Sequence, residues 1–191
     1  MNRVPRLFGL MALFLIATAG GPVGAATDLE NTLYLDVPAG RVVIELRPDL
    51  APLTVAHIKE LTKKGFYDGL KFHRVIAGFM AQTGDPLGSG AGGSGPGGAN
   101  NPVKGEFTQT HFLRGSLGLA RTDDPNSGDS QFFICFAPAA FLDGKYTLFG
   151  QVTKGMEFVD AIKKGDSQRN GTVANPDRIV KMQIAADEKK Q

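Results

Sequence analysis

Short apolar runs of β type, each cut off by glycine or proline, limit what this chain can fold into more than any other feature. Residues 32–37 and 41–46 alternate apolar and polar and are joined through Pro38-Ala39-Gly40, which reads as a hairpin. Residues 72–76, 79–82, 116–120, 131–136, 146–152 and 178–185 supply six more strand-like runs. Two stretches carry helical spacing instead. In 52–64, Pro52 lies in the first turn, Val55, Ile58 and Leu61 share a face, and Gly65 is the stop. In 155–164, Phe158, Val159 and Ile162 are apolar and Gly165 follows. The intervals between strands are too short for helical crossovers. The pattern therefore predicts a mainly β fold, a closed eight-stranded antiparallel β-barrel capped by two α-helices. No internal repeat is visible, and residues 187–191 read as a solvated tail.

The first residues follow another plan. Arg3 and Arg6 precede an apolar run over 7–19, Gly20-Gly21-Pro22 ends it, and Val23-Gly24-Ala25-Ala26 offers small residues at cleavage spacing. This is the three-part layout of a secretory signal, expected to span 1–26, and the apolar run is shorter than the ~17–25 residues a bilayer crossing needs. No cysteine lies near the cleavage region and no twin-arginine pair precedes the run, so ordinary secretion is the expected route. Without Arg3 and Arg6 the 21 basic residues become 19, equal to the 19 acidic ones. A near-neutral mature chain gives no electrostatic reason to bind nucleic acid or to stay on an anionic membrane. Residues 27–191 are enough for a single domain with one sizeable core.

Several fragments point towards other chemistries and do not hold. Gly88-Ser89-Gly90-Ala91-Gly92-Gly93 fits the dinucleotide-binding spacing, yet more glycine and Pro96 follow where a helix must start, so a long flexible loop is expected. Ala56-His57 and Gly128-Asp129-Ser130 are similar to pieces of the chymotrypsin-like proteases. His57 falls mid-helix and Gln131-Phe132 follows the serine, so a surface histidine and a turn serine are expected. Cys135, the single cysteine, sits within Phe132-Phe133-Ile134-Cys135-Phe136 and reads as a buried structural thiol. Three scattered histidines and one cysteine give no metal-ligand spacing, and no cofactor is expected.

The residue that asks for an explanation is Arg74. It lies between apolar neighbours in Phe72-His73-Arg74-Val75-Ile76, and a guanidinium in such a setting costs free energy unless something pairs with it. No nucleophile or acid–base pair accompanies it, so its chemistry must rest on hydrogen bonding and an apolar surface.

The stretch Phe72-His73-Arg74-Val75-Ile76-x-Gly78-Phe79-Met80-x-Gln82-x-Gly84-Asp85 resembles the signature of the cyclophilins, peptidyl-prolyl cis–trans isomerases. Gly118-Leu119-Ala120-Arg121, Asn126 through Ile134, Phe141-Leu142-Asp143-Gly144-Lys145 and Phe149-Gly150-x-Val152 agree in order and spacing. The resemblance runs from about residue 32 to residue 185. It implies the eight-stranded barrel with two capping helices, and proline-containing polypeptides as substrates. It assigns Arg74 the donor role at the prolyl nitrogen and sets the proline ring against Phe79, Met80, Phe133 and Leu142. Gln82 would hold substrate backbone or orient Arg74, and backbone at Ala120 and Arg121 would pair with the residue before proline. Gln131, Phe141 and Tyr146 complete the expected wall. His73 adjoins Arg74 but faces the other side of a strand, which makes it a supporting residue.

Two positions depart from the family's pattern. Phe141 stands where many members have tryptophan, and this chain contains none; the resemblance thus implies only weak binding of cyclosporin. Tyr146 stands where many have histidine. One additional residue lies between Ala120 and Pro125, and the glycine-rich stretch is long; both border the groove. Two readings of different class follow: an exported isomerase, monomeric and periplasmic, that speeds folding at X–Pro bonds, and a non-catalytic module that docks proline segments on the same fold.

Overall fold

The first hairpin forms as its alternation requires. β1 (Thr32–Val37) and β2 (Gly40–Leu46) pair antiparallel, with Leu33 opposite Ile44 and Leu35 opposite Val42, all buried. The computed structural model describes Met1 and residues 28–188. The expected signal segment, Met1 apart, and the end of the expected tail lie outside the described residues. Beside short 3-10 turns, the remaining elements are α1 (Pro52–Lys63), β3 (Arg74–Ile76), β4 (Met80–Thr83), β5 (Ser116–Leu119), β6 (Phe132–Cys135), β7 (Leu148–Lys154), α2 (Met156–Asp160), β8 (Lys181–Ile184) and the single turn α3 (Ala185–Glu188). The eight strands form one sheet in the order β3-β4-β6-β5-β7-β2-β1-β8, antiparallel throughout.

The sheet is curled but open, which corrects the expected closed barrel. No ladder joins its edge strands β3 and β8; the chain ahead of each meets at one bridge, Lys71 with Arg178, supported by Phe72 N–H to Asp177 O and Ile179 N–H to Leu70 O, both 2.9 Å. The physical reason lies on the outer edge of β3. There a turn takes the place a closing strand would need: Val75 N–H donates to Gly171 O at 2.8 Å, and Thr172 bridges Arg74.

The curled sheet wraps a core that includes Leu33, Ile44, Ile58, Phe72, Phe132, Ile134 and Phe149, each fully buried. Burying one such side chain stabilises the fold by ~1.5–3 kcal/mol. A second cluster, Met80, Phe112, Phe133, Cys135, Ala139, Leu142 and Leu148, covers the other face of the central strands. This explains why β6 reads as an unbroken apolar run and β5 carries only small or apolar residues: every residue in them is buried, alternate ones on opposite faces.

α1 turns Val55, Ile58 and Leu61 inward, as its spacing predicts, and Gly65 follows it with φ 67°. Its N-terminus has no local cap, because Ala51 has no side-chain acceptor. Glu106, 53 residues away from Leu53, supplies one: its carboxylate accepts from Leu53 N–H at 2.9 Å and Thr54 N–H at 2.8 Å. α2 is shorter than the expected 155–164. Beyond it Ile162 N–H bonds to Val159 O and Lys163 N–H leaves for the Asp177 carboxylate at 2.8 Å, so the helix tightens into a turn.

Candidate active site

Strand register assembles the site. Arg74 on β3 stands opposite Gln82 on β4, Gln82 opposite Phe133 on β6, and Phe133 opposite Gly118 on β5. The row ends on glycine for a steric reason: a Cβ at Gly118 would lie 2.2 Å from the tip of the Phe133 ring. The neighbouring row is Ile76, Met80 and Cys135. Polar Arg74 and Gln82 thus lie beside the apolar Phe133 and Met80 on one outer face.

A groove of about 760 Å³ opens over these rows. Its wall includes Arg74, Phe79, Met80, Gln82, Ala120, Arg121, Phe133, Phe141, Leu142 and Tyr146, ten of the expected residues in one place. His73 also reaches the wall, although it was expected on the far side; it is buried, and burial lowers its imidazole pKa below the ordinary 6.5. Gln131 is not on the wall. It lines a smaller adjoining hollow of about 90 Å³ with Asn100, Thr122 and Asp129.

Aromatic contacts set the shape of the apolar end. The Phe133 ring stacks on Phe112 with centroids 6.0 Å apart and meets Tyr146 edge-on at 5.9 Å. Phe79 and Phe141 lie 5.3 Å apart across the rim, and Phe141 is 61% exposed. Arg121 lays its guanidinium over the Tyr146 ring at 4.5 Å and donates to the carbonyls of Lys145 and Thr122. The Ala120 N–H is already taken by Gln131 O at 2.9 Å.

Arg74 is half-buried and no carboxylate lies within ion-pair distance of it among the described residues. Burial lowers its pKa, but a guanidinium keeps its proton. Neutral acceptors hold it instead. Nη1 donates to Gln82 Oε1 at 3.1 Å, Nε to Asn170 O at 3.1 Å, and Nη2 to Asn170 Oδ1 at 2.9 Å. Of its five N–H groups, one on each Nη remains beyond these three bonds. Because arginine only donates, Gln82 must present its oxygen to it and its amide N–H₂ to Gln131 Oε1, at 2.9 Å. Gln131 in turn donates to Gly90 O at 3.0 Å and Gly92 O at 2.9 Å. The relay gives Gln131 a defined task, tying the glycine-rich loop to the Arg74 row.

That loop contains one short 3-10 turn, Pro96–Gly98, and no phosphate-binding helix follows it. It is not loose. Asp85 accepts from Leu87 N–H and Gly90 N–H, and Asp129 accepts from Ser94 N–H, Ser94 Oγ and Asn101 N–H. Asp129 also meets His57 Nε2 at 2.8 Å. His57 is therefore not a surface histidine: its side chain is only 11% exposed. Ser130, fully buried, donates to Gly84 O at 2.7 Å and does not join His57, so no protease-like triad forms. Burial alone would raise the Asp129 carboxyl; its donors outweigh that and hold it below the ordinary range. Cys135 is buried as expected, and burial pushes its thiol up to about 12. Among the described residues, no group of three or more histidine, cysteine, aspartate or glutamate side chains gathers to hold a metal.

The residues that sequence reasoning missed are Asn170 and Thr172, which join the edge of the glycine-rich loop on the groove wall. The dipeptide Asn170-Gly171 is a turn signal that could have drawn attention to the first.

Residues 32–184 match the family model for cyclophilin type peptidyl-prolyl cis-trans isomerase/CLD. A probable peptidyl-prolyl cis-trans isomerase of Brucella suis biovar 1 is 49% identical over 189 residues, covering 94% of this chain and 96% of its own length. A peptidyl-prolyl cis-trans isomerase of Helicobacter pylori (strain ATCC 700392 / 26695) is 42% identical over 145 residues, 73% of this chain and 85% of its own. Among solved structures, cyclophilin AquaCyp293 from Hirschia baltica superposes with a TM-score of 0.72 at 27% identity, covering 84% of this chain and 76% of that one. A Cryptosporidium parvum cyclophilin type peptidyl-prolyl cis-trans isomerase, crystallised in the presence of the dipeptide Ala-Pro, gives 0.71 at 26% identity, with 80% and 98% covered.

Proposed function

The chain belongs to the cyclophilin-type peptidyl-prolyl cis–trans isomerases, and on that premise we propose that Arg74 drives rotation of X–Pro bonds by hydrogen-bonding the prolyl nitrogen of the twisted amide. An amide resists rotation by ~18–20 kcal/mol because the nitrogen lone pair is delocalised into the carbonyl. Twisting localises that pair and turns the nitrogen into an acceptor. A donor aimed at it binds the twisted amide better than either planar form, which is what lowers a barrier. No covalent step is needed.

The observation that carries this reading is the fastening of Arg74 by three neutral acceptors, with one N–H left on each Nη. A docking surface for proline segments needs the apolar wall; it has no use for a half-buried cation held in this way. Phe79, Met80, Phe133 and Leu142 form the seat for the proline ring. The apolar surroundings favour the less polar twisted state over the planar one. Gln82 orients Arg74 in this account. Pairing with the residue before proline falls to the Ala120 carbonyl and the Arg121 N–H, since the Ala120 N–H is used within the protein. Phe141, Tyr146 and Arg121 border the flanking substrate residues. The Ala-Pro dipeptide present with the Cryptosporidium parvum relative supports proline-containing polypeptides as the substrate class.

The enzyme in this reading is exported. Arg3, Arg6, the apolar run over 7–19 and the small residues at 23–26 support cleavage near residue 26 and release of one domain, residues 27–191, into the periplasm. There it assists folding of exported proteins at steps that otherwise take roughly tens to hundreds of seconds. A monomer suffices, because one chain supplies the whole groove wall. Mass spectrometry of the protein recovered from a periplasmic fraction tests export; a full-length N-terminus there would contradict cleavage. A protease-coupled assay on an X–Pro peptide tests the chemistry. Arg74→Ala is expected to lose about 10²–10³ in kcat/KM, the scale of removing one aimed donor. Arg74→Lys is expected to recover little, since it lacks the fork that meets Gln82 and Asn170 together.

A further inference from the structure

The turn behind Arg74 carries an inference that rests on the donor reading and goes a step past it. We propose that Asn170 is a positioning residue, which fixes the direction of the Arg74 guanidinium by accepting from it with both backbone and side chain. Nε meets the Asn170 carbonyl at 3.1 Å and Nη2 meets Asn170 Oδ1 at 2.9 Å. These two contacts hold one edge of the guanidinium, and Gln82 holds Nη1. A long side chain with several rotatable bonds has its head group clamped on all three nitrogens.

The clamp works because the turn itself has a fixed register against β3. Gly165 N–H donates to Val75 O at 2.9 Å, and Val75 N–H donates to Gly171 O at 2.8 Å. Asp166 closes the turn, its carbonyl accepting from Gly171 N–H at 2.8 Å and its own N–H donating to Thr172 O at 3.0 Å. Two glycines permit this approach. A Cβ at Gly165 would lie 1.8 Å from Gly171 O, and one at Gly171 would lie 2.6 Å from Ile76 Cγ1. Asn170 sits just before Gly171 with φ 51°, in the left-handed region. The plainer account of this residue is conformational, since asparagine tolerates that region better than most side chains. Glycine would serve that purpose equally well and would supply no Oδ1. The side-chain contact to Nη2 is therefore the part the turn alone does not require.

Asn170→Gly separates the two accounts, because it keeps the left-handed backbone and the carbonyl and removes only the Oδ1 acceptor. For an X–Pro peptide, kcat is expected to fall about five- to tenfold with KM nearly unchanged, the pattern of an interaction that matters in the transition state. The thermal midpoint should hold, and Asn170→Asp, which keeps an acceptor on Nη2, should recover most of the rate. Arg74→Ala combined with Asn170→Gly should be no slower than Arg74→Ala alone, as expected for residues acting as a unit. Side-chain NMR of Arg74 gives a readout independent of turnover: rotation about Cζ–Nη2 should be slow in the wild type and faster in Asn170→Gly. If Asn170→Gly keeps wild-type kcat and slow rotation while Arg74→Ala loses activity, the positioning role is overturned and the donor role stands. If Arg74→Ala turns over like the wild type, the donor role fails instead, and the rotation measurement alone decides whether Asn170 positions the side chain.

Discussion

At the scale of single residues, the candidate site sets an arginine, with no carboxylate at ion-pair distance among the described residues, beside an apolar groove wall. That Arg74, Phe79, Met80, Phe133 and Leu142 line one groove was legible because they lie within continuous motifs, and strand register sets Arg74, Met80 and Phe133 side by side. Asn170 was not, because its contact with Arg74 spans 96 residues and depends on a turn whose register no local pattern reports. His57 escaped for the same reason: its partner, Asp129, is 72 positions away. Phe141 is where the residue scale makes its own prediction. Its ring continues the rim beside Phe79 but offers no N–H, and it is mostly exposed. Cyclosporin should inhibit weakly, and Phe141→Trp, which adds an indole donor, should tighten inhibition by about tenfold, the worth of one added hydrogen bond in a partly dry site. A nanomolar inhibition constant for the unmodified protein would contradict this, as would no change on Phe141→Trp.

At the scale of elements, strand existence followed from alternation and short apolar runs, while edges and helix ends depended on contacts from elsewhere in the chain. All eight strands appear where apolar runs predicted them, with shifts of a few residues. α2 stops early because Asp177 claims the Lys163 N–H, and nothing near 155–164 signals that. α1 begins after an alanine that cannot cap it, and its first N–H groups find Glu106 on a distant loop. Glu106→Ala should therefore destabilise the protein by about 1–2 kcal/mol, the range of a lost N-cap, with a matching shift in the urea midpoint. An unchanged midpoint would mean that water caps the helix equally well.

At the scale of the whole molecule, eight antiparallel strands were predictable and closure was not, because the 165–172 turn takes the outer edge of β3 that a closing strand would need. The buried titrating groups set the acid response of the fold. Burial depresses His73 below 6.5, so as pH falls through that value the unfolded chain takes the proton first and stability drops. Asp85 and Asp129 are buried too, but their hydrogen-bond donors hold both below 3.8, so their stabilisation is complete above that value and is lost as pH falls further. Thermal midpoints should decline in two stages, below about 6.5 and again below about 3.8, and His73→Asn should remove the first. A midpoint flat from pH 7 to 4 would contradict the assignment for His73. The account as a whole stands on Arg74 acting in the twisted state rather than in binding. Exchange NMR of an X–Pro peptide at saturating concentration measures both properties in one sample. The account predicts that Arg74→Ala slows bound-state interconversion by about 10²–10³ while peptide affinity changes only a few-fold. Interconversion close to the wild-type rate, or a loss confined to affinity, would contradict it.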